Sequence, residues 1–368
     1  MALAVLGFSY SPKRLSLSFA KCLRHRDDGS DLATLSRPSS PHKWRVVIAY
    51  DGKKFAGWQY QESPPTIQCL IEKALTRITK LDRKQLHLVG AGRTDAGVHA
   101  WGQVAHFITP FNYDCLESIH AALNGLLPSE IRVREISPAC PEFHARFSTI
   151  SKLYHYKIYN GLIMDPFQSR YAYHSGYKLN PVVMREAASY FVGRHDFTSF
   201  ANVSHSDGLV NPVKEIFQFH VKEMVFHGTT YISMDMLFCC INIFFIIIFA
   251  SIDSVINPSF FIATCYLQDH VFQIEVEGTG FLYRQVRNMQ VALLIEIGRE
   301  VLPPVVVREI LAARNRRELA KFAMSAPPHG LCLMSVNYSD DILKAPAGCP
   351  ASSFGRLQTA SKCRLPFY

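Results

Sequence analysis

In residues 90–107, Gly-Ala-Gly-Arg-Thr-Asp-Ala-Gly-Val-His-Ala-Trp-Gly-Gln-Val-Ala-His-Phe, a glycine-studded loop runs directly into an alternating strand. That order constrains the fold. Gly90-Ala91-Gly92 imitates the start of a dinucleotide-binding fingerprint. The fingerprint needs a third glycine where this chain has Asp95, and a helix where residues 103–107 alternate as a strand. A nucleotide-cofactor reading is therefore rejected. An Asp beside a Gly is ordinarily a turn former. Here Asp95 has Arg93 two residues before it and Gly97 two residues after it. A neighbouring arginine favours the charged form of a carboxylate, which makes Asp95 a candidate nucleophile or base.

The rest of the chain mixes the two hydrophobic periods. Residues 44–50, 131–136, 153–159, 213–222, 271–276 and 331–338 read as strands. Residues 67–79 carry a helical stripe of Ile67, Leu70, Ile71, Ala74, Leu75 and Ile78, and 115–127, 181–192, 283–297 and 305–313 also read as helices. Links between strands are not uniformly crossover helices. The expected class is α+β: two similar α/β subdomains whose mixed, largely antiparallel sheets face each other across a cleft. The predicted divisions are a disordered extension or transit peptide at 1–43, a first subdomain at 44–150 with the Asp95 loop, a second at 151–338, and a disordered tail at 339–368.

Charge distribution matters more than its total. The net charge is +9, but residues 1–45 hold eight Lys/Arg against three Asp/Glu, and the body from 46 to 338 holds 27 against 25. A polyanion partner would need basic residues gathered on one face by folding. The ten cysteines contain no Cys-x-x-Cys pair, so neither a metal site nor a disulfide framework is expected. The first 26 residues have five basic and no acidic side chains, with frequent serines. That composition suits a plastid or mitochondrial transit peptide; the alternative is a plain extension on a cytoplasmic or nuclear protein.

Residues 224–269 break the pattern. Within them 236–252 are almost purely apolar, bracketed by Asp235 and Asp253. Seventeen residues fall short of the roughly 20 that a membrane span needs, and no basic cluster flanks them. The favoured reading is translated non-coding sequence such as a retained U-rich intron, because U-rich codons encode Phe, Ile, Leu, Cys and Tyr. A buried insertion and a membrane anchor are the competing readings.

Several motifs occur in series: Tyr50-Asp51-Gly52 with Phe55, Gly57-Trp58-Gln59, Thr66-Ile67-Gln68, the Asp95 loop, Phe143-His144-Ala145-Arg146-Phe147-Ser148, Lys152-Leu153-Tyr154, His195-Asp196-Phe197-Thr198-Ser199-Phe200, and Gly280-Phe281-Leu282 with Val286-Arg287-Asn288. Over about residues 44–338 this series resembles the TruA family of tRNA pseudouridine synthases. The resemblance implies a pseudouridine synthase fold with an RNA-binding cleft, conversion of uridine to pseudouridine in the anticodon stem-loop of tRNA (positions 38–40), no cofactor, and a homodimer. It implies that Asp95 is the catalytic carboxylate and Tyr154 the stacking tyrosine. Arg287, from the far subdomain, is the preferred ion-pair partner of Asp95, and Arg93 could instead contact a phosphate or help flip the base. Attack on C1′, attack on C6 and deprotonation of the sugar all remain open for Asp95. A same-fold synthase acting on another RNA, or an RNA-binding protein with an impaired site, are the alternatives. One departure from the family pattern is an apparent extra residue, Gln290. One residue turns a helix by about 100°, which is expected to disturb Arg287 or the apolar face after it.

Overall fold

The protein is described by a computed structural model covering residues 41–202, 211–227, 230–233 and 270–355. The basic N-terminal stretch, residues 203–210, the whole apolar run 236–252 with most of 224–269 around it, and the last residues of the chain lie outside the described residues.

The strands are β1 (His42–Tyr50), β2 (Val89–Gly90), β3 (His99–Thr109), β4 (Ile131–Ala139), β5 (Ser151–Asn160), β6 (Tyr173–Ser175), β7 (Gly193–Asp196), β8 (Val213–His227), β9 (Thr230–Ser233), β10 (His270–Gly278) and β11 (Leu331–Asn337). They form a mixed sheet with the path β4-β1-β3-β11-β5-β10-β8-β7, antiparallel except where β3 meets β11 and β5 meets β6. The mixed, largely antiparallel character expected from the alternation is present. The two halves are joined edge to edge, because β11 lies between β3 of the first half and β5 of the second. Cys332 and Leu333 pair in parallel with His99 and Ala100, while Leu331 and Leu333 pair with Tyr156 and Tyr154. One hydrophobic core runs through both halves.

Local chemistry explains the elements. Helix α1 (Ile67–Thr79) starts where Thr66 accepts a hydrogen bond from Cys69 N, and it ends at Lys80 in the left-handed region. It buries Ile67, Ile71, Ala74 and Leu75 of the predicted stripe, with Leu70 and Ile78 partly buried against the core. Helix α2 (Leu116–Leu126) packs on α1, and helix α3 (Pro181–Ser189) begins with Asn180 capping Val182 N ahead of Pro181. The predicted long helix α4 runs through three stretches, Gln285–Arg287, Asn288–Leu293 and Leu294–Gly298, and the middle one is a π-helix.

That π turn corrects the expectation about Gln290. A wide turn takes up one additional residue without rotating the remainder of the helix. Met289, Leu293, Leu294 and Ile297 are all buried, and Arg287 keeps its place opposite Asp95. Residues 339–355 also depart from the expected disordered tail. Ile342 and Leu343 pack against the core, Cys140 Sγ donates to Ile342 O, and Ser353 pairs with Ile136 in both backbone directions. His120, buried under this return, bonds Ser353 Oγ at 2.9 Å. Apolar residues too sparse to signal a helix were sufficient to dock this segment. Among the described residues no helix is long and apolar enough to cross a membrane.

Candidate active site

The loop joining β2 to β3 is held residue by residue. Ala91 N donates to Val104 O at 2.7 Å, and Lys152 Nζ donates to Ala91 O at 2.8 Å. Gln103 Nε2 reaches Gly92 O at 2.8 Å. Thr94 is held twice, by Trp58 N on its carbonyl and by Tyr50 Oη on its hydroxyl at 2.8 Å. Val98 N closes a turn onto Asp95 O, and Gly97 N reaches Phe55 O. The Tyr50 and Gly57-Trp58 motifs thus serve this loop directly, as does Gln103 from the strand after it.

Two glycines let the backbone come this close. A Cβ on Gly90 would lie 2.5 Å from the Trp58 ring, and Gly57, at φ +98°, would press one against Thr94 O at 2.7 Å. Gly90→Ala is expected to destabilise the protein by about 1–3 kcal/mol, as overpacking does. Denaturant unfolding tests this, and an unchanged midpoint would show that the ring is free to move aside.

So anchored, the loop presents Asp95 to a cleft of about 1370 Å³. Arg287 Nη1 lies 3.1 Å from Asp95 Oδ2, and Arg287 Nε donates to Ala326 O at 2.7 Å. The arginine side chain is 9% exposed and the carboxylate 18%, so the pair is shielded but open on the cleft side. Helix α4 supplies Arg287 and is itself tied down by Asn288, whose Nδ2 donates to Phe200 O at 2.7 Å. The cross-cleft ion pair is therefore the partner expected for Asp95. Arg93 stands exposed on the cleft wall.

Tyr154 enters the cleft from β5, its ring edge-on to Phe281 at 5.3 Å. Burial first, and then the nearby Asp95 carboxylate, push its phenol pKa up, so the hydroxyl stays protonated. Tyr156, one alternation further, is core: it is fully buried and donates to Pro327 O at 2.9 Å.

The cleft also gathers the positive charge that composition left dispersed. Arg93, Arg146, Lys152 and Arg284 line it together with Arg287, and Arg314, Arg316 and Arg317 complete its rim. Asp95 is the one carboxylate among the described lining residues. The motif residues supply the scaffolding. His144 Nδ1 accepts from the backbone of Arg146 and Phe147, fixing the turn that carries Arg146. Asp196 accepts from Thr198 and lies 3.7 Å from Arg314. Sequence reasoning did not assign Arg146, Lys152, Arg284 or the 314–317 group to the site. The basic run Arg314-Asn315-Arg316-Arg317 was a usable signal for the last. Among the described residues no three His, Cys, Asp or Glu side chains converge as metal ligands would.

A cationic cleft holding one paired carboxylate and a sheltered tyrosine ring suits a reaction on a polyanion. Comparison with known proteins agrees. A family model described as tRNA pseudouridine synthase matches residues 46–148 and 187–339. The chain belongs to the TruA family of tRNA pseudouridine synthases. It is 35% identical over 301 residues to tRNA pseudouridine synthase A 1 of Protochlamydia amoebophila (strain UWE25), covering 82% of this chain and 98% of that protein. It is likewise 35% identical over 300 residues to tRNA pseudouridine synthase A of Bacillus pumilus (strain SAFR-032), covering 81% of this chain and 100% of the relative. This TruA-family protein is thus an isomerase that acts on uridine in tRNA. The family match resumes at 187 and continues to 339, so it reaches across the apolar segment to include β10, α4 and β11.

Proposed function

We propose that this TruA-family enzyme isomerises uridines of the anticodon stem-loop, at tRNA positions 38–40, and that Asp95 is the carboxylate that reacts. The observation that carries the reading is the single carboxylate among the described residues of the cleft, held by Arg287 from the opposite half beside Tyr154. In the reaction the N1–C1′ bond breaks, the uracil turns, C5 bonds to C1′, the C5 proton leaves and N1 gains one. Asp95 enters by attack on C1′, by attack on C6, or by taking a proton from the sugar. A base must leave its stack to reach a carboxylate at the floor of a cleft, and an aromatic face offsets that cost. Tyr154 provides the face, Arg287 orients the carboxylate, and Arg93 contacts a phosphate or helps flip the base. The enzyme works as a homodimer, and its basic N-terminus directs it to an organelle.

The test is pseudouridine mapping on an unmodified tRNA with uridines at 38–40, using purified protein. Modification at those positions supports the reading; modification confined to other uridines moves the substrate assignment elsewhere. Tyr154 variants separate stacking from hydrogen bonding. Tyr154→Phe keeps the ring and is expected to lose less than about 10-fold in turnover. Tyr154→Leu removes about 1–3 kcal/mol of stacking and is expected to lose about 10–100-fold. Equal losses would mean that the hydroxyl, not the face, is what matters.

A further inference from the structure

Lys152 takes no part in these chemical steps, yet its surroundings are unusual for a lysine. It precedes Tyr154 by one alternation on β5, so the two side chains rise from the same face of the strand, about 6.6 Å apart at ~3.3 Å per residue. Both line the cleft. That separation matches the reach from a nucleobase to the backbone of its own nucleotide. The ammonium donates to Ala91 O and would stand 3.1 Å from a Cβ on Gly92, so the glycine keeps the space in front of it open.

The charges facing Lys152 are of its own sign. Arg146 approaches from the turn before β5 and Lys214 from β8. Among the described residues no carboxylate pairs with the ammonium; Asp95, on the loop beyond, is paired to Arg287. Burial first, then Arg146 and Lys214, lower the pKa of Lys152 to about 8. Lys214 is lowered too, by burial and then by Arg146. A group of three cations repels itself in the protein alone and becomes favourable when an anion joins it. An ammonium has three donors, and the Ala91 carbonyl occupies one.

We propose that Lys152, aimed by Ala91 and supported by Arg146, binds the backbone phosphate of the nucleotide whose base lies on Tyr154. This rests on the roles proposed for Asp95 and Tyr154. Phosphate contact favours the charged ammonium, so binding takes up a proton where the free protein has lost one. Affinity is then full below about pH 8 and falls as pH rises through it. Lys214 can titrate nearby, so the step belonging to Lys152 is the one that its own substitution removes.

The experiment uses the full chain as Asp95→Asn, which is expected to bind without turnover, with and without Lys152→Met or Lys152→Gln. The probe is an anticodon-arm RNA in which single phosphates around the target uridine are replaced, one at a time, by neutral methylphosphonates. One replacement is expected to weaken binding about 10-fold and each lysine variant by a similar factor, with no further loss when the two are combined. The slope of log K against log salt should fall by about 0.7, the value for one single-strand phosphate. Glutamine keeps a donor for Ala91, so its behaviour separates phosphate binding from support of the loop. Additive losses at every phosphate, or an unchanged salt slope, overturn the inference while pseudouridine formation by the unsubstituted protein leaves the functional reading standing. If the unsubstituted protein neither binds the RNA nor modifies it, both fall.

Discussion

Asp95→Asn is expected to lower pseudouridine formation by at least about 10³-fold while tRNA affinity changes by less than about threefold. Each of the three chemical roles open to Asp95 needs an anion, and an amide offers neither a nucleophilic oxygen nor a base of useful strength. The substitution keeps shape, and the amide oxygen can still accept from Arg287 at the same place. Because the cleft faces a polyanion, loss of the Asp95 charge removes repulsion, so weakened binding cannot account for lost turnover. Single-turnover pseudouridine assays and equilibrium RNA binding on the same preparation test this. Activity within 10-fold of the unsubstituted enzyme would remove Asp95 from the chemistry.

Arg287→Met is expected to act on both stability and rate. Arg287 holds two groups at once, Asp95 Oδ2 and Ala326 O, from an almost fully buried position. Methionine fills the volume but leaves the carbonyl without its donor and the carboxylate without its ion. Since Asp95 is open to the cleft, the loss is set below that of a fully buried pair, at about 2 kcal/mol. Turnover should fall about 100-fold as the carboxylate loses its orientation. Arg287→Lys should fall between, because an ammonium cannot reproduce the guanidinium fork that serves both acceptors. Denaturant unfolding of Arg287→Met, Asp95→Asn and the double variant checks the pairing. The two losses should fail to add by about 1 kcal/mol, and simple additivity would mean the contact contributes nothing.

The two substitutions probe a contact that unites residues 192 positions apart in the chain. That is where legibility from sequence divides. Asp95, Arg93 and Tyr154 were singled out because each lies in a short contiguous motif that resembles the family's, and Arg287 because the resemblance implied a partner from the far half. The helix Ile67–Thr79 was readable for a similar reason, since one repeating stripe and one Thr cap specify it. The small elements β6 and β7 escaped notice because three or four residues carry too little periodicity to register. The return of 339–355 onto the first half depended on Ile342, Leu343 and Ser353 finding distant partners that no local pattern announces.

The extra residue in α4 shows the same division from another side. Counting residues along an ideal helix predicted a disturbed face, because that count fixes 3.6 residues to every turn. Packing of Met289, Leu293 and Leu294 on one side, with Arg287 held by Asp95 and Ala326 on the other, instead favours a local π turn.

The sequence by itself determined the class of fold, through alternation and helical stripes, and the family and the carboxylate loop, through an ordered series of short motifs that resembles the family's. Only the tertiary structure decided that the two halves share one sheet through β11, and that among the described residues eight cations surround one acid in a body of nearly balanced charge; it also supplied the 3.1 Å contact between Arg287 and Asp95 that the resemblance had implied. Charge is a sum in the sequence and a field in the structure, and a field depends on distances that folding alone sets.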